Sequence, residues 1–142
     1  MAVVADSGAI YALYDAADAN HTAVKHALAK ERGAIVLPAA ILAEVDYLLR
    51  EFLGTNAELA FLDSILSGAF TLEPPERVDL LRARDLILRY RNLDLGLSDS
   101  AVIATAERLG ISRILTVDQR HFRAVVSVKG EPFVLLPADL GA

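Results

Sequence analysis

Short apolar runs alternate with longer helical patterns along this chain, and this alternation limits the fold more than any other feature. The runs with the length of strands lie at residues 3–4, 34–37, 70–72, 114–117 and 133–136. Parallel strands need long crossover connections, which helices usually supply. The pattern therefore predicts an α/β fold: a three-layer α/β/α sandwich around a mainly parallel sheet of about four to five strands.

Capping and turn residues predict where several helices begin and end. Pro38 suits the first turn of a helix whose apolar spacing continues to Gly54. Thr55 and Glu58 have the spacing of a capping box, in which each side chain binds a free backbone donor of the other residue. Ser98 is expected to cap the last predicted helix, which ends at Gly110.

Length and composition indicate one domain in a reducing compartment. A chain of 142 residues fits a single domain, 1–142, and we find no linker that would divide it. It has no Cys, and its first residues do not have the pattern of a secretory signal, so we expect a cytoplasmic protein. Its mean hydropathy of +0.40 is high, yet no apolar run is long enough for a membrane span. The excess apolar surface suggests contact with another protein chain.

The net charge of −5 argues against a broad basic surface for nucleic acid. Contact with nucleic acid must therefore be local, and basic residues are densest over positions 77–91. From their placement, the arginines expected to hold a nucleic-acid strand are Arg84, Arg89, Arg91 and Arg120.

Four acidic residues form the main candidate site. Asp6 and Asp118 follow apolar runs, Asp99 lies at a helix start, and Glu44 lies in a helix in the middle of the chain. In parallel sheets the ligand crevice lies beyond the carboxyl ends of the strands, so these side chains can converge. Each acid alone also fits ordinary turn or capping chemistry, and periodicity does not choose between Glu44 and Asp46.

Converging carboxylates would repel one another without a cation. Ligation by oxygen alone suits Mg²⁺ or Mn²⁺, and such ions support phosphoryl transfer or phosphodiester hydrolysis. Ser7 and Thr116 lie beside the acids and can orient a carboxylate or a water, although both also fit ordinary turn hydroxyls. His121 is close enough in sequence to line the pocket but has no recognisable partner.

Four segments together resemble the PIN-domain family, and within it the VapC toxins of bacterial toxin–antitoxin pairs. Residues 3–9 resemble its first strand with a metal-binding Asp, and residues 42–45 resemble the helix that carries its Glu. Residues 97–104 resemble its third acidic motif, and residues 116–122 its closing T-x-D segment. The resemblance covers nearly the whole chain and selects Glu44 over Asp46.

The resemblance implies a Mg²⁺- or Mn²⁺-dependent endoribonuclease whose metal ligands and catalytic residues are Asp6, Glu44, Asp99 and Asp118. It also implies an RNA substrate, a homodimer, and inhibition by a VapB-like antitoxin. Asp94 is either a ligand acting through water or a solvated loop residue. Two other hypotheses are a metal-dependent phosphatase or phosphoacceptor domain and a PIN-like binding module without turnover.

Overall fold

The apolar runs form one parallel sheet in the computed structural model, which describes residues 1–141. The strands are β1 (Val3–Ala5), β2 (Ile35–Pro38), β3 (Thr71–Glu73), β4 (Arg113–Leu115) and β5 (Val134–Leu136). Their order across the sheet is β3-β2-β1-β4-β5, and every neighbouring pair is parallel. The predicted α/β class and strand number are confirmed.

Helices cover this sheet. They are α1 (Ser7–Tyr14), α2 (His21–Lys30), α3 (Leu42–Leu53), α4 (Thr55–Leu66), α5 (Arg77–Arg89), α6 (Leu97–Leu109) and α7 (Gln119–Ala124). Helix α1 packs on α2 and α3, α3 packs on α4, and α5 packs on α6, which also lies against β1, β2 and β4. Right-handed crossovers place α1–α4 and α5–α7 on opposite faces, which gives the expected three layers. None of the helices over residues 1–141 is long and apolar enough to cross a membrane.

The strand order creates a switch point between β1 and β4. The chain runs outward from β1 through β2 to β3, then returns to β4 on the other side of β1. Val4 is paired with Ile114 and Ala5 with Leu115, so the residues after both strands come level. Ligand crevices in open parallel sheets form at such a point, beyond the carboxyl ends of the strands.

Burial of both sheet faces explains why the strands read as continuous apolar runs. All three residues of β1 are buried, and helices contribute the large buried rings of Phe61 in α4 and Phe122 in α7. Helix α7 was not predicted, because its six residues are too few to show a helical period. Phe122 fixes this short helix to the core and so determines where its neighbours lie.

The helix predicted to begin near Thr55 is confirmed as α4, but the roles given to Pro38 and Thr55 are wrong. Pro38 ends β2, where it pairs with Glu73 of β3, and a 3-10 turn over Ala39–Ile41 precedes α3. The prediction failed because a proline fits a strand end as well as a first helical turn. Thr55 forms no capping box: Gly54 is both the C-cap of α3 and the N-cap of α4, so Thr55 is already helical.

Ser98 is also misassigned as a cap. Gly96 is the N-cap of α6, and Ser98 lies within the first helical turn, where its hydroxyl donates to a side chain of α3. A capping box does occur at α5, between Glu76 and Asp79. Hydroxyl and carboxylate side chains do lie at the helix starts, but they bind other groups than the sequence pattern predicted.

Arg108 of α6 ties three elements together. Its Nε donates to Asp79 Oδ1 of α5 at 2.9 Å, and its Nη1 donates to Glu73 Oε1 of β3 at 2.9 Å. The Asp79 side chain is only 5% exposed, and its hydrogen bond with the guanidinium raises the pKa of Arg108 above the usual range. Loss of the guanidinium would leave a buried carboxylate without its cation.

We therefore expect Arg108→Ala to lower the free energy of unfolding by about 2–4 kcal/mol, because breaking a largely buried ion pair strands the partner charge. Arg123→Ala is the matched control, since Arg123 pairs with Asp139 but its side chain is 43% exposed. That change should destabilise the protein clearly less, because an exposed ion pair contributes little. Urea unfolding of both variants measures the difference. Equal losses of unfolding free energy would contradict the role of Arg108 as the cation that stabilises buried Asp79.

Candidate metal centre

Asp6 is the most buried acid of the predicted site. It follows β1 directly and caps α1, where its Oδ1 accepts from the backbone N–H of Ala9 at 2.8 Å. Its Oδ2 accepts a hydrogen bond from the Thr116 hydroxyl. The side chain thus has both oxygens bound and one fixed orientation. The Asp6 backbone N–H donates to Leu115 O at 3.0 Å, which places Thr116 beside it by sheet register.

Asp99, Asp118 and His121 form a tight group next to Asp6. One carboxylate oxygen of each acid and one ring nitrogen of His121 all lie within 4.8 Å of one another. His121 Nδ1 is 2.8 Å from Asp118 Oδ2 and 3.1 Å from Asp99 Oδ2. Asp99 lies in the first turn of α6, and Asp118 caps α7, so two helix starts meet here. Both positions give a carboxylate a favourable helix dipole.

Glu44 projects from the first turn of α3 and is held by two hydroxyls. Ser7 donates to its Oε1, and Ser98 donates to its Oε2 at 2.7 Å. Ser7 belongs to α1 and Ser98 to α6, so three helices fix this carboxylate. The predicted role of Ser7 as an orienting hydroxyl agrees with this contact. Ser98 was missed, because nothing local relates it to an acid 54 residues away.

The charges of these acids act on one another. Burial raises the pKa of the Asp6 carboxyl to about 7; hydrogen bonds from Thr116 and Ala9 offset part of this effect, and Asp99 and Asp118 add repulsion. Burial also raises the pKa of Asp99, to which Asp118 and Glu44 contribute, while the proximity of His121 opposes the rise. All four predicted acids therefore share one electrostatic site.

Thr116 connects the two strand ends. Its hydroxyl donates to Asp6 and accepts from the backbone N–H of Asp118 at 2.9 Å. It is only 1% exposed, so these contacts are shielded from water. This is the position in which a hydroxyl orients a carboxylate, as the sequence suggested.

The other predicted residues either face another helix or are exposed. Asp46 lies beside Glu58 of α4 and raises the pKa of that carboxyl, so it faces α4. Asp94 is exposed in a left-handed conformation with φ of 52°, directly after the 3-10 turn Arg91–Leu93. The four arginines predicted to hold nucleic acid are exposed: Arg84, Arg89, Arg91 and Arg120.

His121 was expected close to the pocket, but its partners Asp99 and Asp118 were not recognised from the sequence. It follows Asp118 by three residues, a spacing that brings side chains together at a helix start. The Asp-x-x-His spacing was therefore a usable signal, but only if α7 had been recognised as a helix.

The donor set fits a divalent metal. Carboxylates that raise one another's pKa indicate a place where a cation would relieve repulsion, and oxygen donors are the preferred ligands of hard divalent ions. Carboxylate oxygens of Asp99 and Asp118 lie within 4.8 Å of each other, and both oxygens of Asp6 are held by hydrogen bonds. The arrangement can bind an ion and hold water beside it.

Comparison with known proteins agrees with this geometry. The family model for the PIN domain matches residues 3–127. Ribonuclease VapC26 from Mycobacterium tuberculosis is 32% identical over 135 residues, which cover 95% of this chain and 100% of the relative. The match confirms the resemblance to VapC proteins.

Solved structures show the same fold. VapC20 from Mycobacterium tuberculosis, described as a toxin that cleaves the sarcin–ricin loop, superposes with a TM-score of 0.73 at 22% identity, covering 79% of this chain and 86% of that one. VapBC2 from Rickettsia felis, bound to a DNA fragment from its promoter, gives 0.67 at 14% identity, covering 95% and 97%.

A toxin–antitoxin complex from Klebsiella pneumoniae gives a TM-score of 0.68 at 16% identity and covers 87% of this chain and 92% of that one. These three likenesses concern the fold, a parallel sheet between helices. Together with the family model and the full-length relative, they lead to one conclusion: this chain belongs to the PIN-domain family.

Proposed function

We propose that this protein is a divalent-metal-dependent endoribonuclease and the toxin of a toxin–antitoxin pair. The observation that carries the proposal is the gathering of Asp6, Glu44, Asp99 and Asp118 around the switch point between β1 and β4. The full-length similarity to ribonuclease VapC26 supports RNA as the substrate class.

In this proposal the four acids are the ligands and catalytic groups for Mg²⁺ or Mn²⁺. A bound ion of this kind activates water, holds a phosphate oxygen and stabilises the leaving oxygen. Asp6 contributes a fixed carboxylate, because Ala9 N–H and the Thr116 hydroxyl hold both of its oxygens. Ser7 of α1 and Ser98 of α6 orient the Glu44 carboxylate through their hydroxyls. Such fixed neighbours keep ligand oxygens in place before the substrate arrives.

RNA would reach this site across a protein of net negative charge. The exposed arginines Arg84, Arg89, Arg91 and Arg120 supply local positive charge for backbone phosphates. Arg120 is adjacent in sequence to His121 and is therefore the nearest of them along the chain to the acids. Asp94, which precedes α6 in an exposed position, is proposed as a solvated residue and not as a ligand.

We also propose a homodimer, a VapB-like antitoxin as the inhibiting partner, and a cytoplasmic location for the single domain 1–142. Exposed apolar side chains support protein partners on two faces. On α3 and α4 they include Tyr47, Leu59, Leu62 and Leu66, and on α5 they include Val78, Leu80, Leu81 and Leu88. Apolar faces of this kind suit helix-in-groove recognition. The absence of Cys supports the compartment.

The phosphatase or phosphoacceptor hypothesis is less well supported. Asp6 is followed by Ser7 and Gly8, so the chain lacks the second Asp of a D-x-D phosphatase signature, and no pair of Asp residues follows β1 as a phosphoacceptor domain would require. A binding module without turnover is disfavoured because the whole acidic set is retained.

Removing single carboxylates should separate catalytic from ordinary acids. We expect Asp6→Asn and Glu44→Gln to reduce cleavage of total cellular RNA at least about 100-fold, since each loses a metal-binding charge. Asn keeps the helix cap at position 6, so the fold should persist. Asp46→Asn, on the same helix as Glu44, is the matched control and should cleave RNA at the parental rate.

Cleavage is measured with Mn²⁺ or Mg²⁺, and again with EDTA, on protein whose circular dichroism is unchanged. Discrete fragments lost with EDTA and with both active-site variants would support the proposal. A fully active, folded Asp6→Asn protein would overturn it, as would a covalent aspartyl-phosphate in place of RNA cleavage.

The raised pKa of Asp6 predicts how stability changes with pH in metal-free protein. The carboxyl titrates near 4 when unfolded and at about 7 when folded, so between these values only the unfolded state has released its proton. Stability should therefore fall as pH rises from about 4 to 7, by on the order of a few kcal/mol. Above about pH 7 the buried carboxylate is ionised in the folded protein too, and the full loss of stability is present.

Urea unfolding in EDTA across this pH range measures the effect. Asp6→Asn should flatten the decline, and saturating Mn²⁺ should reduce it in the parental protein, because a cation stabilises the ionised carboxylates. A decline of the same size in Asp6→Asn would show that other groups cause it.

Light scattering tests the homodimer. Without antitoxin, the purified protein should have twice the mass of the 15.3 kDa chain. Leu66→Glu on α4 and Leu81→Glu on α5 each place a charge on one exposed apolar face, and the variant that becomes monomeric identifies the dimer face. A monomer in the parental protein would contradict the dimer.

A further inference from the structure

The imidazole of His121 lies between two of the proposed metal ligands. Its Nδ1 is 2.8 Å from Asp118 Oδ2 and 3.1 Å from Asp99 Oδ2. Its backbone N–H also donates to Asp118 Oδ1 at 3.3 Å, and the next residue, Phe122, is buried in the core. The ring is therefore placed by the fold and is not a chance contact of a mobile side chain.

These separations match the spacing of neighbouring ligands around one ion. In an octahedral site with bonds of about 2.1–2.2 Å, adjacent ligand atoms lie about 3.0 Å apart. The three donor atoms also share a region within 4.8 Å. A neutral imidazole whose proton lies on Nε2 offers an Nδ1 lone pair, so the same atom can bind a metal.

The other histidines have different surroundings. His21 Nδ1 is 2.8 Å from the backbone oxygen of Ala12, and His26 is exposed on α2. The predicted ligands were all carboxylates, which favour a hard ion bound by oxygen. A nitrogen donor changes this preference, because imidazole suits first-row transition metals whereas Mg²⁺ favours oxygen ligands and water.

We propose that His121 is a nitrogen ligand of the divalent ion, beside Asp99 and Asp118, and that it makes the site prefer Mn²⁺ to Mg²⁺. The inference rests on the proposed metal-dependent function and deepens it by specifying the metal class. The competing possibility is that the imidazole only donates a hydrogen bond to the two carboxylates and moves aside when a cation binds.

Pulsed electron paramagnetic resonance of Mn²⁺ bound to the whole protein distinguishes these arrangements. A directly bound imidazole gives nitrogen coupling to the Mn²⁺ electron spin, and labelling histidine with ¹⁵N changes that coupling. We expect the coupling in the parental protein and in His26→Gln, the control on an exposed helix. It should be lost in His121→Gln, in which an amide replaces the ring.

Calorimetry on the same variants gives a second readout that does not depend on cleavage. His121→Gln should weaken Mn²⁺ binding by at least about tenfold and Mg²⁺ binding by less, so the preference for Mn²⁺ should shrink. Circular dichroism confirms that each variant is folded.

The outcomes separate this inference from the proposed function. Bound Mn²⁺ without nitrogen coupling would overturn the role of His121 and leave the acidic metal site intact. Equal losses of Mn²⁺ and Mg²⁺ affinity in His121→Gln would overturn the selectivity. A parental protein that binds no Mn²⁺ would overturn both proposals.

Discussion

The parallel pairing of β1 with β4 is the constraint on which the site depends. It makes β1 the central strand, with β2 and β3 on one side and β4 and β5 on the other, and it sets Ala5 level with Leu115. The next residues, Asp6 and Thr116, must then be neighbours at the carboxyl edge of the sheet. Register changes of one residue would turn one of these side chains to the other face. Sheet register therefore positions the most buried acid as strictly as any side-chain contact does.

Burying Asp6 has an energetic cost that explains the polar groups around it. An ionised carboxylate removed from water is strongly destabilised unless hydrogen bonds or a cation compensate. Ala9 N–H and the Thr116 hydroxyl compensate only in part, since the pKa of Asp6 remains raised to about 7. The remaining cost is what a bound cation would relieve. The same feature thus lowers metal-free stability and favours metal binding, a trade expected where function and stability compete.

The acids at the strand ends were predictable, because the residues that follow parallel strands lie at the same edge of the sheet. Asp6 and Asp118 could be placed at one edge from apolar runs alone, whereas Ser98 and Glu44 meet only because α6 and α3 approach in three dimensions. Periodicity describes one helix at a time and contains no information on such an approach. Pro38 and Thr55 were misassigned for a related reason. Proline fits a strand end as well as a first helical turn, and threonine can lie inside the first turn of a helix as well as cap it. The family resemblance selected Glu44, and the contact of Asp46 with Glu58 gives the physical reason.

His121 shows how packing can alter the chemistry that composition implies. Four acids indicate oxygen ligation, but α7 brings a ring nitrogen to within 2.8 Å of one of them. The helix has only six residues, too few to be stable alone, so its position depends on the burial of Phe122 beside His121. Under the proposed ligation, metal preference would depend on an apolar contact in the core. A smaller side chain at position 122 would then loosen the nitrogen donor while leaving all four carboxylates in place. Ion selectivity in this fold would accordingly vary with the packing of α7 as well as with the acids.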